Sequence, residues 1–173
     1  MNKVKNRVLI VDEEAGFCAD LAAALKGPGF ETSEAGDGFK AFEKILHLRE
    51  RGQTFDLLVA PIRMSVQGGV ELLRRLEEHG LDLPTLFTTY FMDEHLFAGL
   101  MRSQCRDYIE KPVAAAEVAE RVRRILAEGE KALPSGAVFS RRGGDGMKVE
   151  WFRSDREKRK NFSEAATNKE SRR

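Results

Sequence analysis

The sequence contains few cysteines and no long apolar run. Cys18 and Cys105 are the only cysteines among 173 residues, which leaves no disulfide framework and indicates a reducing compartment. No stretch approaches the ~18 consecutive apolar residues that a membrane span needs. The apolar run nearest the start, residues 8–11, is too short for a signal peptide. We therefore expect a cytoplasmic protein.

Histidines are also scarce, which argues against a zinc site. His47, His79 and His95 fall on three different predicted helices, and the two cysteines form no pair with metal-ligand spacing. The loop after the first predicted strand, "DEEAGF", lacks the glycine-rich pattern of nucleotide and dinucleotide sites. Its acidic residues would also repel the phosphate of a flavin. These motifs therefore predict no cofactor.

The charges are balanced over the whole chain but not along it. Residues 1–130 contain 17 Lys and Arg against 22 Asp and Glu, whereas residues 131–173 contain 12 against 6. This predicts an acidic domain over 1–130 and a basic tail over 131–173. Within the tail, residues 137–152 alternate around "GGDG" and indicate a marginal hairpin, and the charged residues 153–173 are expected to be disordered.

Strand-like apolar runs alternate with helical patterns five times along the first 130 residues. The predicted strands are 7–11, 30–34, 55–60, 83–89 and 105–110, and the helical segments are 13–29, 39–51, 68–80, 92–103 and 114–128. Such alternation predicts an α/β fold with a doubly wound, five-stranded parallel sheet in the order 2-1-3-4-5. The apolar stripes of the second and third helices place Phe39 and Val70 on their buried faces.

In this topology the carboxyl ends of the first and third strands border a crevice where ligands bind. Asp12 and Glu13 follow the first strand, Pro61 ends the third, Thr89 ends the fourth and Lys111 follows the fifth. Carboxylates suit a divalent cation, whereas an ammonium and a hydroxyl suit an oxyanion such as a phosphoryl group. The sequence alone leaves both ligands open.

Five segments, in this order and spacing, resemble the receiver domains of two-component response regulators over residues 5–128. They are "VLIVDEE", "DLLVAPIRM", "GGVELLRRL", "PTLFTTY" and "RDYIEKP". The resemblance implies a flavodoxin-like fold, an acidic pair that binds Mg²⁺ and a signalling role without enzymatic activity. It also implies that Thr89 is the switch hydroxyl, Tyr108 the switch aromatic and Lys111 the pocket lysine.

The departures from that family concern its phosphorylation chemistry. Pro61 stands where the family has the phospho-accepting Asp, and it has no side-chain oxygen for a nucleophile or a metal ligand. Asp56 cannot replace it, because five residues of strand separate the two by about 16 Å. Glu13 is one methylene longer than the usual Asp, and Ser65 replaces a common Pro. We expect no phosphorylation at this position and weak or absent Mg²⁺ binding at Asp12 and Glu13.

The remaining pocket residues are expected to have structural roles. Lys111 is predicted to pair with Asp12 or Glu13, and its bond to Pro112 is often cis in the family. Without a phosphoryl group Thr89 loses its switching stimulus. The bulky Tyr90 is predicted to hold the Tyr108 ring in one rotamer.

These features predict an atypical receiver that acts by protein–protein contact. Its expected partners are a histidine kinase, another receiver or an output protein, and a homodimer is a further expectation. The alternative is a nucleic-acid-associated regulator that uses the basic tail, against the simpler view that the tail only solubilises the chain. The tail residues proposed for such contacts are Arg141, Arg142, Lys158, Arg159 and Lys160.

Overall fold

The structure, a computed structural model, describes residues 5–27, 29–90 and 105–128, and the backbone of two short strands at 137–140 and 148–151. The strands of the first unit are β1 (Asn6–Val11), β2 (Phe30–Ala35), β3 (Leu57–Pro61), β4 (Thr85–Thr89) and β5 (Cys105–Glu110). Its described helices are α1 (Ala15–Leu25), α2 (Gly38–Glu50), α3 (Gly69–Glu78) and α4 (Ala115–Glu128). The helix predicted over 92–103 lies outside the described residues.

The five strands form one parallel sheet in the order β2-β1-β3-β4-β5, which confirms the predicted fold class. Val8 of β1 lies beside Thr32 of β2 on one side and Leu57 of β3 on the other. The winding therefore reverses at β1, and the ends of β1 and β3 lie side by side. This arrangement creates the crevice that holds the candidate site.

The core lies on both faces of the sheet. All five residues of β3 and all five of β4 are buried, as expected for central parallel strands covered by helices. On one face, Val8 and Ile10 pack with Leu21 of α1 and Val122 of α4. Each fully buried aliphatic side chain of this kind stabilises the fold by about 1.5–3 kcal/mol relative to an exposed one.

Two details of the helices differ from the sequence prediction. Helix α1 begins at Ala15 instead of Glu13, because the Asp12 carboxylate accepts the Glu14 N–H at 3.0 Å and Glu14 stays extended as the N-cap. Val70 of α3 is 39% exposed. The buried positions of α3 are Gly69, Leu72, Leu73 and Leu76, which form the true i, i+3, i+4, i+7 stripe.

Phe39 is predicted from the sequence to be buried but is 51% exposed at the first turn of α2. Its ring is covered from α3 by the guanidinium of Arg75, whose central carbon lies 5.4 Å from the Phe39 centroid and 4.2 Å from that of Phe42. A stacked arginine can stabilise an aromatic ring that lies outside the core. The apolar pattern of α2 therefore overstates the burial of Phe39.

The second unit is described only by its backbone. The chain divides into the units Met1–Ala132 and Leu133–Arg173. In the second unit β6 (Ala137–Ser140) pairs antiparallel with β7 (Lys148–Trp151), with Ala137 opposite Trp151. The predicted disorder of 153–173 lies outside the described residues. Among the helices that are described, none is long and apolar enough to cross a membrane.

Candidate functional site

A cavity of about 210 Å³ opens at the carboxyl ends of β1, β3 and β4. The structure brings together all five residues predicted for it: Asp12, Glu13, Pro61, Thr89 and Lys111. Tyr90 also lines the cavity, whereas Tyr108 does not. Thr88 lines the cavity too, and so do Glu14 and Arg63, which are not among the predicted site residues. Their closeness in sequence to Glu13 and Pro61 is the feature that could have indicated them.

Asp12 is the buried carboxylate of the site, with an exposed fraction of 3%. Its Oδ1 accepts the backbone N–H of Glu14 at 3.0 Å, and its Oδ2 accepts from the Lys111 ammonium at 2.7 Å. The predicted ion pair of Lys111 therefore forms with Asp12 and not with Glu13. Both oxygens of Asp12 are engaged by the protein itself.

The Lys111 ammonium has four neighbours in the crevice. Beyond Asp12, its Nζ lies 3.6 Å from Oε1 of Glu14, 4.6 Å from the Phe17 ring centroid and 5.3 Å from that of Tyr90. Burial alone would lower the pKa of Lys111, but the hydrogen bond and charge of Asp12, with the charge of Glu14, outweigh it and raise this pKa above its usual value. Lys111 is therefore a charged group held in place. The peptide bond from Lys111 to Pro112 is cis.

Glu13 points to the loop between β3 and α3. Its Oε1 accepts the backbone N–H of Ser65 at 2.7 Å and also the Ser65 hydroxyl. The side-chain hydrogen bond from Ser65, followed by the backbone one, lowers the pKa of Glu13 below its usual value. The longer side chain of Glu13 thus spans the crevice mouth and ties two loops together.

Pro61 ends β3 as a buried residue opposite Thr88 of β4. The ladder continues past it, since the Ile62 N–H donates to the Thr88 carbonyl at 2.9 Å. Behind it, a Cβ added to Gly69 would lie 2.6 Å from the Pro61 carbonyl oxygen, so only glycine fits there. The strand end is tightly fixed, and it presents no side-chain oxygen to the cavity.

Tyr90 covers one side of the cavity. Its side chain is largely exposed, and its hydroxyl donates to Oε1 of Glu14 at 3.0 Å. Thr89 is buried, and its carbonyl accepts the Lys111 backbone N–H at 2.6 Å. Tyr108 is half-buried on β5, where burial raises the pKa of its phenol. The described contacts of Tyr90 are with the crevice, so its effect on the Tyr108 rotamer stays a prediction.

A doubly wound sheet of this strand order is the architecture that receiver domains share with flavodoxins, and here acidic residues, threonines and a lysine surround its crevice. A sequence model of the response regulator receiver domain matches residues 8–123. Because this match covers most of the chain, the protein belongs to the response regulator receiver family. The family's members are signalling modules.

Similar proteins with curated descriptions are larger regulators. The chain is 30% identical over 106 residues to the transcriptional regulatory protein ZraR of Klebsiella oxytoca, covering 61% of this chain and 23% of that protein. It is 29% identical over 126 residues to the DNA-binding response regulator MtrA of Mycobacterium tuberculosis, covering 73% of this chain and 53% of that protein. The chain therefore corresponds to about half or less of these relatives.

Solved structures show the same fold. The receiver domain protein (CheY-like) from Methanospirillum hungatei superposes with a TM-score of 0.62 at 23% identity, covering 74% of this chain and 98% of that one. A response regulator from Thermotoga maritima superposes with a TM-score of 0.58 at 24% identity, covering 72% and 99%. At these identities the likeness shows the architecture alone.

The resemblance to typical receivers implies a magnesium ion at this crevice, and the donor set can be tested against it. Mg²⁺ is usually bound through one or two carboxylates and keeps several waters. Here both oxygens of Asp12 and Oε1 of Glu13 are engaged within the protein, and Pro61 supplies none. Over the part of the chain that the structure describes, no group of three or more His, Cys, Asp or Glu side chains could hold a metal ion. The residues present do not fit the family's ion.

Proposed function

We propose that this protein is an atypical receiver that signals by protein–protein contact, without accepting a phosphoryl group at the end of β3. The observation that carries the proposal is Pro61 at the end of β3, the position to which the resemblance assigns the family's acceptor carboxylate. A proline has no group that can attack a phosphorus atom. The fold that presents partner surfaces is retained, whereas the nucleophile is not.

The neighbouring carboxylates also favour this proposal. Asp56 precedes β3 at its opposite end, where Oδ2 accepts the Arg7 backbone N–H at 2.6 Å. Asp12 follows β1 instead of β3, and its two oxygens accept from the Glu14 N–H and the Lys111 ammonium. No described carboxylate is therefore both free and placed at the end of β3.

Partner binding would use side chains that the fold leaves at its surface. The described large apolar residues that are exposed are Phe39, Val66, Val70 and Tyr90. We propose a histidine kinase, another receiver or an output protein as the partner, with a homodimer as one form of the receiver contact. We also propose a reducing compartment, because Cys18 and Cys105 are free and buried.

Treatment with a small acyl phosphate and Mg²⁺ tests this function. Intact-mass measurement of the full chain should show no added phosphoryl group, whereas a receiver with an Asp at the corresponding position becomes labelled in the same reaction. Stable, hydroxylamine-sensitive labelling of a crevice residue would contradict the proposal. The same samples, mixed with candidate kinases and receivers, should give complexes whose affinity does not depend on the phosphodonor.

A second candidate function is binding to nucleic acid through the tail. The name of the MtrA relative is that of a DNA-binding regulator, and residues 131–173 contain twice as many basic as acidic residues. Contacts between basic side chains and phosphates would make binding fall steeply with salt. Replacing Arg141, Arg142, Lys158, Arg159 and Lys160 by Ala should then abolish binding in a fluorescence-anisotropy titration. Salt-independent binding, or its survival in this variant, would exclude the tail as the contact.

A further inference from the structure

The ammonium of Lys111 occupies the centre of the acidic crevice. Its Nζ lies 2.7 Å from Oδ2 of Asp12 and 3.6 Å from Oε1 of Glu14, and its side chain is only 6% exposed. A Mg²⁺ ion in a protein is commonly bound through one or two carboxylates and several waters. In this crevice the positive charge between the carboxylates of Asp12 and Glu14 is the Lys111 ammonium.

Two aromatic rings keep the ammonium at that point. Phe17 of α1 and Tyr90 after β4 approach it at 4.6 Å and 5.3 Å from their centroids. The Tyr90 hydroxyl donates to the same Glu14 oxygen that faces Lys111. Ring faces attract a cation, and this attraction grows when water is excluded. The cage thus has two carboxylates and two rings around one positive charge.

We propose that the Lys111 ammonium is the resident cation of this crevice and takes the place of a divalent ion between Asp12 and Glu14. The proposal rests on the proposed function, since a carboxylate at position 61 would compete for the ammonium. It makes Lys111 a structural counter-ion whose removal frees Oδ2 of Asp12 for another cation. It also makes Tyr90 and Phe17 positioning residues for that charge.

Melting temperatures of the full chain provide the first test. Wild-type protein should melt at the same temperature in millimolar MgCl₂ and in NaCl of equal ionic strength. Lys111→Ala removes both the charge and the bulk, so it should melt lower in NaCl and recover several degrees in MgCl₂. Lys44→Ala is the matched control, because it removes the same charge from an exposed site on α2. It should respond to MgCl₂ as the wild type does.

Two results of this experiment would overturn the proposal. One is a magnesium-specific rise in the melting temperature of the wild type that is as large as the rise for Lys111→Ala. The other is a folded Lys111→Ala variant whose melting temperature does not rise in MgCl₂. If Lys111→Ala does not fold, ¹⁵N NMR of the wild-type lysine ammonium groups decides the question.

The Lys111 signal should exchange slowly with water and stay unchanged on addition of MgCl₂, and a magnesium-induced shift would overturn the proposal.

In Tyr90→Ala the ammonium keeps its contact with Asp12 but loses one of the two rings around it. Its signal should therefore exchange faster with water, again without magnesium binding; an unchanged exchange rate would contradict the positioning role of Tyr90. Magnesium binding by the wild type would leave the absence of phosphoryl labelling intact, so failure of this proposal is distinguishable from failure of the proposed function.

Discussion

Glu13 and Ser65, which are 52 positions apart in the chain, are joined by two hydrogen bonds across the mouth of the crevice. The carboxylate accepts both the backbone N–H and the hydroxyl of the serine. This contact connects the loop after β1 with the loop before α3. It turns the Glu13 carboxylate towards Ser65, whereas Asp12 and Glu14 face the Lys111 ammonium.

The Glu13–Ser65 contact should make stability depend on pH in the acid range. Because the hydrogen bonds lower the pKa of Glu13 in the folded state, their contribution is present above the ordinary pKa of 4.5 and is lost as the pH falls through the lowered value. Ser65→Ala removes the hydroxyl donor, so its melting temperature should fall below that of the wild type at neutral pH and approach it in acid. An NMR titration of the Glu13 carboxyl should show its pKa rising in the variant. An unchanged pKa would contradict the assigned contact.

Removing Asp12 should destabilise the domain strongly. Asp12→Ala leaves the buried Lys111 ammonium without its main partner, and breaking a buried pair in this way costs about 3–5 kcal/mol. Glu14 is mostly exposed, so Glu14→Ala is the matched control and should cost less than about 1 kcal/mol. Urea denaturation of the three proteins measures both changes in the free energy of unfolding. Equal losses in the two variants would show that the Asp12 pair is not the principal contact.

Gly69 should not tolerate a side chain. A Cβ at this position would lie 2.6 Å from the Pro61 carbonyl oxygen and 2.7 Å from a ring carbon of Phe87, so Gly69→Ala should cost about 1–3 kcal/mol. A Cβ added to Gly16 of α1 would meet no atom within 4 Å, and Gly16→Ala should stabilise the helix by up to about 1 kcal/mol. The melting temperature should therefore fall for Gly69→Ala and rise for Gly16→Ala. A neutral Gly69→Ala would mean that the end of β3 can move.

Introducing an acidic residue at position 61 should give only inefficient phosphorylation. In Pro61→Asp the new carboxylate faces a lysine already held by Asp12 and a cavity partly covered by Tyr90. We expect weak labelling by an acyl phosphate in Pro61→Asp and stronger labelling in Pro61→Asp/Tyr90→Ala, measured by intact mass. Tyr90→Ala alone, which lacks the acceptor, is the control and should remain unlabelled. Equal labelling of Pro61→Asp and Pro61→Asp/Tyr90→Ala would show that Tyr90 does not obstruct phosphorylation.

The sequence predicted the sheet order and the residues of the crevice because both depend on features with a clear local signal. Alternating apolar runs and helices define the parallel sheet, and the chemistry of its strand ends follows from the topology. The burial of Val70 was predicted wrongly because "VELLRRL" fits two helical stripes, and only packing against Pro61 and Phe87 selects the one that begins at Gly69.

Tertiary contacts explain the other differences. Nothing in the sequence showed that Glu13 would turn to Ser65 and leave Glu14 as the second neighbour of Lys111. Likewise, the guanidinium near the exposed Phe39 ring comes from an arginine of a different helix. Contacts between residues so far apart along the chain have no local pattern, so the sequence alone did not predict them.

Burial of the Lys111–Asp12 pair has a consequence for the ionic conditions under which the domain keeps its crevice. The screening length of dissolved salt is about 8 Å at physiological ionic strength, and it acts mainly on charges that water surrounds. The exposed pair of Arg74 and Glu78 on α3 will weaken as salt rises, whereas the pair beneath Tyr90 will be far less affected. The crevice should therefore retain its charge arrangement in concentrated brine that suppresses the electrostatics of the outer surface.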